Sequence, residues 1–244
     1  MRNQRVIEID TGREDLPDSR LFECGYFSQL PDVPVMTKTI LLMELKVREQ
    51  AVDLREISKL LLSDVGAALQ VFRLAGREYE SAADRPNRIE DCISDLGLQA
   101  CLEAVSRQTV GSGARKRAIC NAWDHAKTIA DYCRQCAEDT LATIHPEQAY
   151  LVGLFHELGY LPALLGWDQN GHGSSDSVFV GQQLAEEWAL PSCVREIFLE
   201  MRIPESMKRW SEVIDMAHNL ANMPSIEPAF GNGFLPHSTT AAWI

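Results

Sequence analysis

The sequence predicts an all-α protein, and three observations carry that expectation. Apolar residues recur at three- and four-residue steps through most of the chain, the spacing that puts side chains on one helical face. Residues that start and stop helices bracket those runs: Asp53, Asp64, Asn87 and Asp176 ahead of them, Pro146 at a first helical position, and Gly76 and Gly159 near ends. No run alternates with period two between hairpin turns, so strands are expected to be absent or trivial.

The stretch at 147–166, EQAYLVGLFHELGYLPALLG, organises the rest. Leu151, Leu154, Phe155 and Leu158 share a face, which predicts a buried helix carrying His156 and Glu157 near its end, opened by Pro146 and stopped by Gly159 and Pro162. Ahead of it, residues 1–25 are polar and lack a helical period, so they read as an N-terminal arm. LPDVP at 30–34 is a turn that restricts the backbone before a helix at 35–48. Asp53 with Glu56 resembles a capping box in front of Leu54, Ile57 and Leu60. Asp64 caps the next helix, through Leu69 and Phe72 to Gly76; Asn87 with Glu90 opens another, which resumes after Gly97 and runs to Val110. Gly111 and Gly113 then interrupt the pattern. They divide the body into lobes at about 26–110 and 118–222, expected to pack together through residues 98–105 and the helix of Trp123.

Beyond that break, residues 118–142 predict a long helix whose packed stripe is Ala122, Ala126, Ile129, Ala130, Cys133 and Ala137, with His125 at its edge. Residues 167–177 have the glycine and polar content of a loop, and Asp176 or Ser177 can cap a helix that runs to Trp188. Helices at 192–201 and 211–222 follow. The C-terminal tail at 223–244 is rich in Pro, Gly and Ser, and its aromatic residues Phe230, Phe234 and Trp243 are expected to cover a groove on the body or to meet a partner.

Charge and cysteine content exclude several function classes. Lys plus Arg number 23 against 35 Asp plus Glu, a formal charge of -12 that repels a phosphate backbone and disfavours nucleic-acid binding. No apolar run approaches the roughly 18–20 residues that cross a bilayer, so no membrane insertion and a cytoplasmic location are expected. The seven cysteines are odd in number and scattered through helical stretches, which fits reduced, buried thiols rather than a disulfide framework. Cys133 and Cys136 have the spacing of half a zinc site, but without a second pair they read as a packed helical face. The basic residues Arg115, Lys116 and Arg117 follow the glycine pair without the strand of a nucleotide loop, and read as a solvated hinge.

Several segments together support a resemblance. LPDVPVM at 30–36, DVGAALQVFRLAG at 64–76, IEDCISDLGLQACLEAV at 89–105, the helix of His125, YLVGLFHELGYL at 150–161 and VGQQLAEEWALP at 180–191 stand in the order and spacing of the HDOD family. The chain resembles a nearly complete HDOD domain from about residue 26 to 222. That resemblance implies an all-helical fold related to the HD-domain metallophosphohydrolases, found in bacterial signalling proteins and generally lacking their catalytic metal site. The chain departs from the family pattern at Gly76-Arg77, where Asn-Ser is usual, and at Glu157, where HD proteins usually have Asp.

HD hydrolases hold divalent ions with histidines and aspartates that generate hydroxide and polarise phosphate. The matching positions here offer His125, His156 and Glu157, then Ser177 in place of His, then Glu200, Met201 and Arg202 where histidines are expected. His218 falls near the late Asp position, with Asp215 one turn earlier. His125, His156, Glu157 and His218 are therefore expected to line a vestigial pocket, with no catalytic residue, metal or other cofactor assigned. The function expected is a non-enzymatic regulatory module acting through a protein partner of a bacterial signalling pathway or a small ligand. The alternatives are an HD-type metal-dependent phosphohydrolase acting on a nucleotide or cyclic dinucleotide, and a nucleic-acid or nucleotide-binding regulator using residues 115–117.

Overall fold

The computed structural model describes residues 32–49, 53–79, 81, 84–111, 113–139, 143–167, 176–202 and 208–224. The expected arm at 1–25 and the tail aromatics Phe230, Phe234 and Trp243 lie outside the described residues. The fold is all-α, as expected. In chain order it comprises α1 (Thr37–Val47), α2 (Leu54–Leu62), α3 (Val65–Arg77), α4 (Ile89–Leu96), α5 (Leu98–Val105), α6 (Ala114–Asp139) and α7 (Pro146–Phe155). A single 3₁₀ turn (Leu158–Tyr160) follows, then α8 (Leu161–Leu165), α9 (Ser177–Glu187), α10 (Ser192–Arg202) and α11 (Arg209–Ala221). An isolated bridge between Val35 and Thr109 is the one β-type pairing among the described residues.

Local chemistry explains where several helices begin. The Asp53, Asp64 and Asp176 side chains accept from the backbone N–H groups of Arg55, Ala67 and Phe179 at 2.8, 3.2 and 3.0 Å, satisfying donors that have no intrahelical partner. Pro146 occupies the first turn of α7. Other boundaries depend on distant neighbours. Glu56 does not close a capping box; its carboxylate lies 2.6 Å from Lys46 Nζ, joining α2 to α1. α3 does not stop at Gly76, because that residue lies inside the helix and faces Ala189, whose Cβ would sit 2.5 Å from an added Cβ. Arg88, not Asn87, precedes α4, and Asn87 Oδ1 instead accepts from Ser192 N at 3.3 Å.

Two further expectations are corrected. α5 ends at Val105, and the chain then returns alongside Val35, with Val35 N donating to Gln108 O and Val110 N donating to Val35 O. α6 begins at Ala114, so Arg115, Lys116 and Arg117 form part of its N-terminal end rather than a hinge, and Arg115 donates to Leu165 O at 3.2 Å.

The buried apolar side chains form one connected cluster, from Val33 to Ala217. α3 is its junction: it packs on α4, α5 and α6 and is buried along nearly its whole length. Phe72 meets Phe155 edge-on at 6.2 Å, Trp123 Nε1 donates to Asp64 Oδ1 at 3.0 Å, and the Tyr150 hydroxyl donates to Leu62 O at 3.0 Å. The first helices therefore meet the later ones chiefly through α2 and α3. Residues 98–105, expected at this contact, pack mainly on α1, α3 and α4 instead.

Candidate functional site

α6 and α7 make the most extensive helix contact of the described residues, and it sets two of the site histidines. The stripe Ala126, Ile129, Ala130 and Cys133 on α6 is buried against α7. Gly153 permits the close approach, since an added Cβ would lie 2.6 Å from Ala130 Cα and 2.8 Å from Ala130 N. α7 ends at Phe155, earlier than the periodicity predicts. His156 is its C-cap and Glu157 begins the 3₁₀ turn, so the pair leaves the helix and faces the α6 surface that carries His125. Gly159 in that turn faces the backbone of α9, where an added Cβ would lie 1.8 Å from Ser177 O. Pro162 starts α8 rather than stopping α7. α11, packed on α6 and α7, supplies His218 from its last turn.

These four residues converge. One ring nitrogen of each of His125, His156 and His218 lies within 4.8 Å of the others, and the ring centroids are 5.1–5.5 Å apart. Glu157 Oε1 is 3.5 Å from His125 Nε2 and 3.6 Å from His156 Nε2. The longer side chain of Glu157 thus still brings its carboxylate to the histidines. His156 Nε2 and His218 Nε2 are 3.2 Å apart. Two backbone carbonyls orient these rings: His156 Nδ1 donates to Gly153 O at 2.7 Å, and His218 Nδ1 donates to Met223 O at 2.8 Å. His125 and His156 are buried, whereas His218 is partly accessible. Burial pushes the His156 imidazole down to about 4 from its usual 6.5; the Glu157 carboxylate and the Gly153 carbonyl oppose that shift, and the two other histidines add to it.

The other matched positions do not join the cluster. Met201 is exposed, and Glu200 accepts from Trp210 N at 2.7 Å and Ser211 N at 3.1 Å, a role in starting α11. Asp215 is exposed on α11. Cys133 and Cys136 are buried on α6, burial pushes both thiols up, and Cys133 Sγ donates to Val213 O at 3.9 Å. Beside Glu157 lies a cavity of about 30 Å³ lined by Trp123, Leu154, Phe155, Leu158 and Leu164 among others. Sequence reasoning did not identify the carbonyls of Gly153 and Met223 that orient the rings. Gly153 had a visible signal, a Cβ-less position within an apolar helix, whereas Met223 lies past the end of α11 and had none.

The chain is similar in structure to the MmoQ response regulator of Methylococcus capsulatus strain Bath. One crystal structure of that protein aligns at TM-score 0.60 and 14% identity, covering 79% of this chain and 87% of the other. A second, of a 20–298 fragment, aligns at TM-score 0.59 and 14% identity, covering 87% and 97%. A virulence factor from Campylobacter jejuni aligns at TM-score 0.53 and 14% identity, covering 85% of this chain and 82% of its own. At such identities these likenesses bear on the fold. No curated protein matches the chain. The HDOD domain model matches residues 30–170, more than half of the sequence and the span that holds α1 to α8, so the chain belongs to the HDOD domain family.

Proposed function

We propose that this protein is a non-enzymatic regulatory module that acts in bacterial signalling by binding a protein partner or small ligand. The observation that carries this reading is that the other positions matched to a hydrolytic metal shell stand away from the histidines: Met201 is exposed, and Glu200 accepts from Trp210 N and Ser211 N at the start of α11. Ser177 and Met201 also supply no imidazole where a hydrolytic ion would need it. Membership of the HDOD family supports the regulatory reading, and one structural neighbour is a response regulator. The regulatory unit is taken as residues 26–222, with the arm and tail as its flanks.

The convergence of His125, His156, His218 and Glu157 favours one second reading, an HD-type phosphohydrolase. Chelator-stripped protein reloaded with manganese, iron, nickel or magnesium separates the two when assayed against mononucleotides and cyclic dinucleotides. The regulatory reading expects no turnover from natively folded protein, together with capture of a specific partner from the native host. Turnover that rises with metal and disappears in both His156→Ala and Glu157→Ala would establish the hydrolase instead.

A further inference from the structure

His156 and His218 present a conflict that the protein's own atoms do not resolve. A backbone carbonyl can only accept, so the contacts to Gly153 O and Met223 O place the proton of each neutral ring on Nδ1. Each Nε2 then carries a lone pair. These two lone pairs lie 3.2 Å apart, and neither neutral ring can donate to the other. His125 Nε2 is buried nearby without a hydrogen-bond partner, and its 3.5 Å separation from Glu157 Oε1 exceeds an ordinary hydrogen bond. Three imidazole nitrogens from α6, the end of α7 and α11 therefore lie together, with the Glu157 carboxylate beside two of them, where a cation relieves their mutual repulsion.

We propose that His125, His156, His218 and Glu157 form a closed, four-coordinate site for a borderline transition-metal cation of the Zn²⁺ type. In a tetrahedral site with metal–ligand distances of about 2.0–2.1 Å, neighbouring donor atoms stand about 3.3–3.4 Å apart. Three of the spacings, 3.2, 3.5 and 3.6 Å, lie close to that value, and the histidine nitrogens all lie within 4.8 Å of one another, so an ion would draw the remaining donors inward. Carbonyl-bound Nδ1–H groups are also the outer contacts that fix the tautomer and orientation of metal-binding imidazoles. Three imidazoles select Zn²⁺, Co²⁺ or Ni²⁺ over Mg²⁺, which prefers oxygen donors. With Glu157 in the fourth position no place is left open for water, as in structural rather than catalytic zinc sites. The ion would tie α11 to the α6–α7 pair, making the packing of this final helix dependent on metal.

The site is tested with the full chain, purified without a polyhistidine tag, stripped with chelator and titrated with Zn²⁺, Co²⁺ or Mg²⁺ alone. Calorimetry should give one Zn²⁺ per chain and no Mg²⁺ binding. Co²⁺ should produce the absorption of a four-coordinate ion, and Zn²⁺ should raise Tm. His218→Ala, at the partly accessible edge, and Glu157→Gln, which retains side-chain volume, should each weaken Zn²⁺ binding by roughly tenfold or more while leaving the metal-free helical content unchanged. Absence of stoichiometric Zn²⁺ uptake by folded protein overturns the proposal. Uptake unaffected by both substitutions also overturns it, by placing the ion elsewhere. These readouts are independent of whether the domain regulates or hydrolyses.

Discussion

Replacing Asp64 tests whether this side chain is only a helix cap or a tie that joins α3 to Met36 before α1 and to Trp123 on α6. Its Oδ1 accepts from Ala67 N at 3.2 Å and Trp123 Nε1 at 3.0 Å, and its Oδ2 accepts from Met36 N at 2.8 Å. Asn caps helices about as well as Asp, so a pure cap predicts almost no effect of Asp64→Asn. The observed geometry predicts otherwise. Asn keeps one acceptor oxygen for Ala67 and Trp123 but turns an NH₂ group toward the Met36 N–H, losing a charge-assisted bond worth about 1.5–3 kcal/mol. For a body of this size that corresponds to a fall in Tm of roughly 3–12 °C. Asp64→Ala strands the donors of Met36, Ala67 and Trp123 and removes the Thr39 contact, and should cost about 3–5 kcal/mol, less than a simple sum because the bonds share one residue.

Urea denaturation of wild type and both variants reads these differences as midpoint shifts at constant slope. A shift below about 0.5 kcal/mol for Asp64→Asn, or an Ala variant no worse than Asn, would refute the tie. pH adds a second readout. Burial raises the Asp64 carboxyl above its usual 3.8, although hydrogen bonds from Met36, Thr39, Ala67 and Trp123 oppose the shift. Below 3.8 the folded and unfolded forms are both protonated; as pH rises through the shifted value the unfolded chain ionises first, so this stabilising contribution is lost. Asn does not titrate. The fall in wild-type stability as pH rises through the shifted value should therefore be absent in Asp64→Asn.

Three further outcomes follow from particular contacts. Gly153→Ala should destabilise by about 1–3 kcal/mol, because its Cβ would meet the backbone of Ala130 at 2.6 Å; thermal melts equal to wild type would show that α6 and α7 can separate without cost. Tyr150→Phe should cost about 1 kcal/mol by leaving Leu62 O without its donor, and a neutral effect in denaturant would mean water replaces the hydroxyl. Cys92, Cys133 and Cys193 are buried, and burial pushes each thiol up, so an aromatic disulfide reagent should label them only as the protein unfolds. Rapid labelling of all three in native protein would contradict the packing of α4, α6 and α10.

The fold class and several helix starts were legible in the sequence because they depend on residues within a few positions of one another. The stripe from Ala126 to Ala137 identifies a buried face of α6 without reference to its partner, and Asp53, Asp64, Asp176 and Pro146 act on the turn they adjoin. His125, His156 and Glu157 could be singled out from local sequence as well, although His156 and Glu157 fall just past the end of α7. Tertiary structure decided what these residues face. Nothing local to Asn87 directs its side chain to Ser192, and Gly76 lies within a helix at a point where Ala189 leaves no room for a Cβ. His218 meets His156, 62 positions away in sequence, because α11 packs across α6 and α7. Its ring is oriented by Met223 O, beyond the helix end. Helical period and capping are nearest-neighbour properties, whereas the convergence of three imidazoles beside a carboxylate depends on how three separate segments pack, which local chain chemistry does not specify.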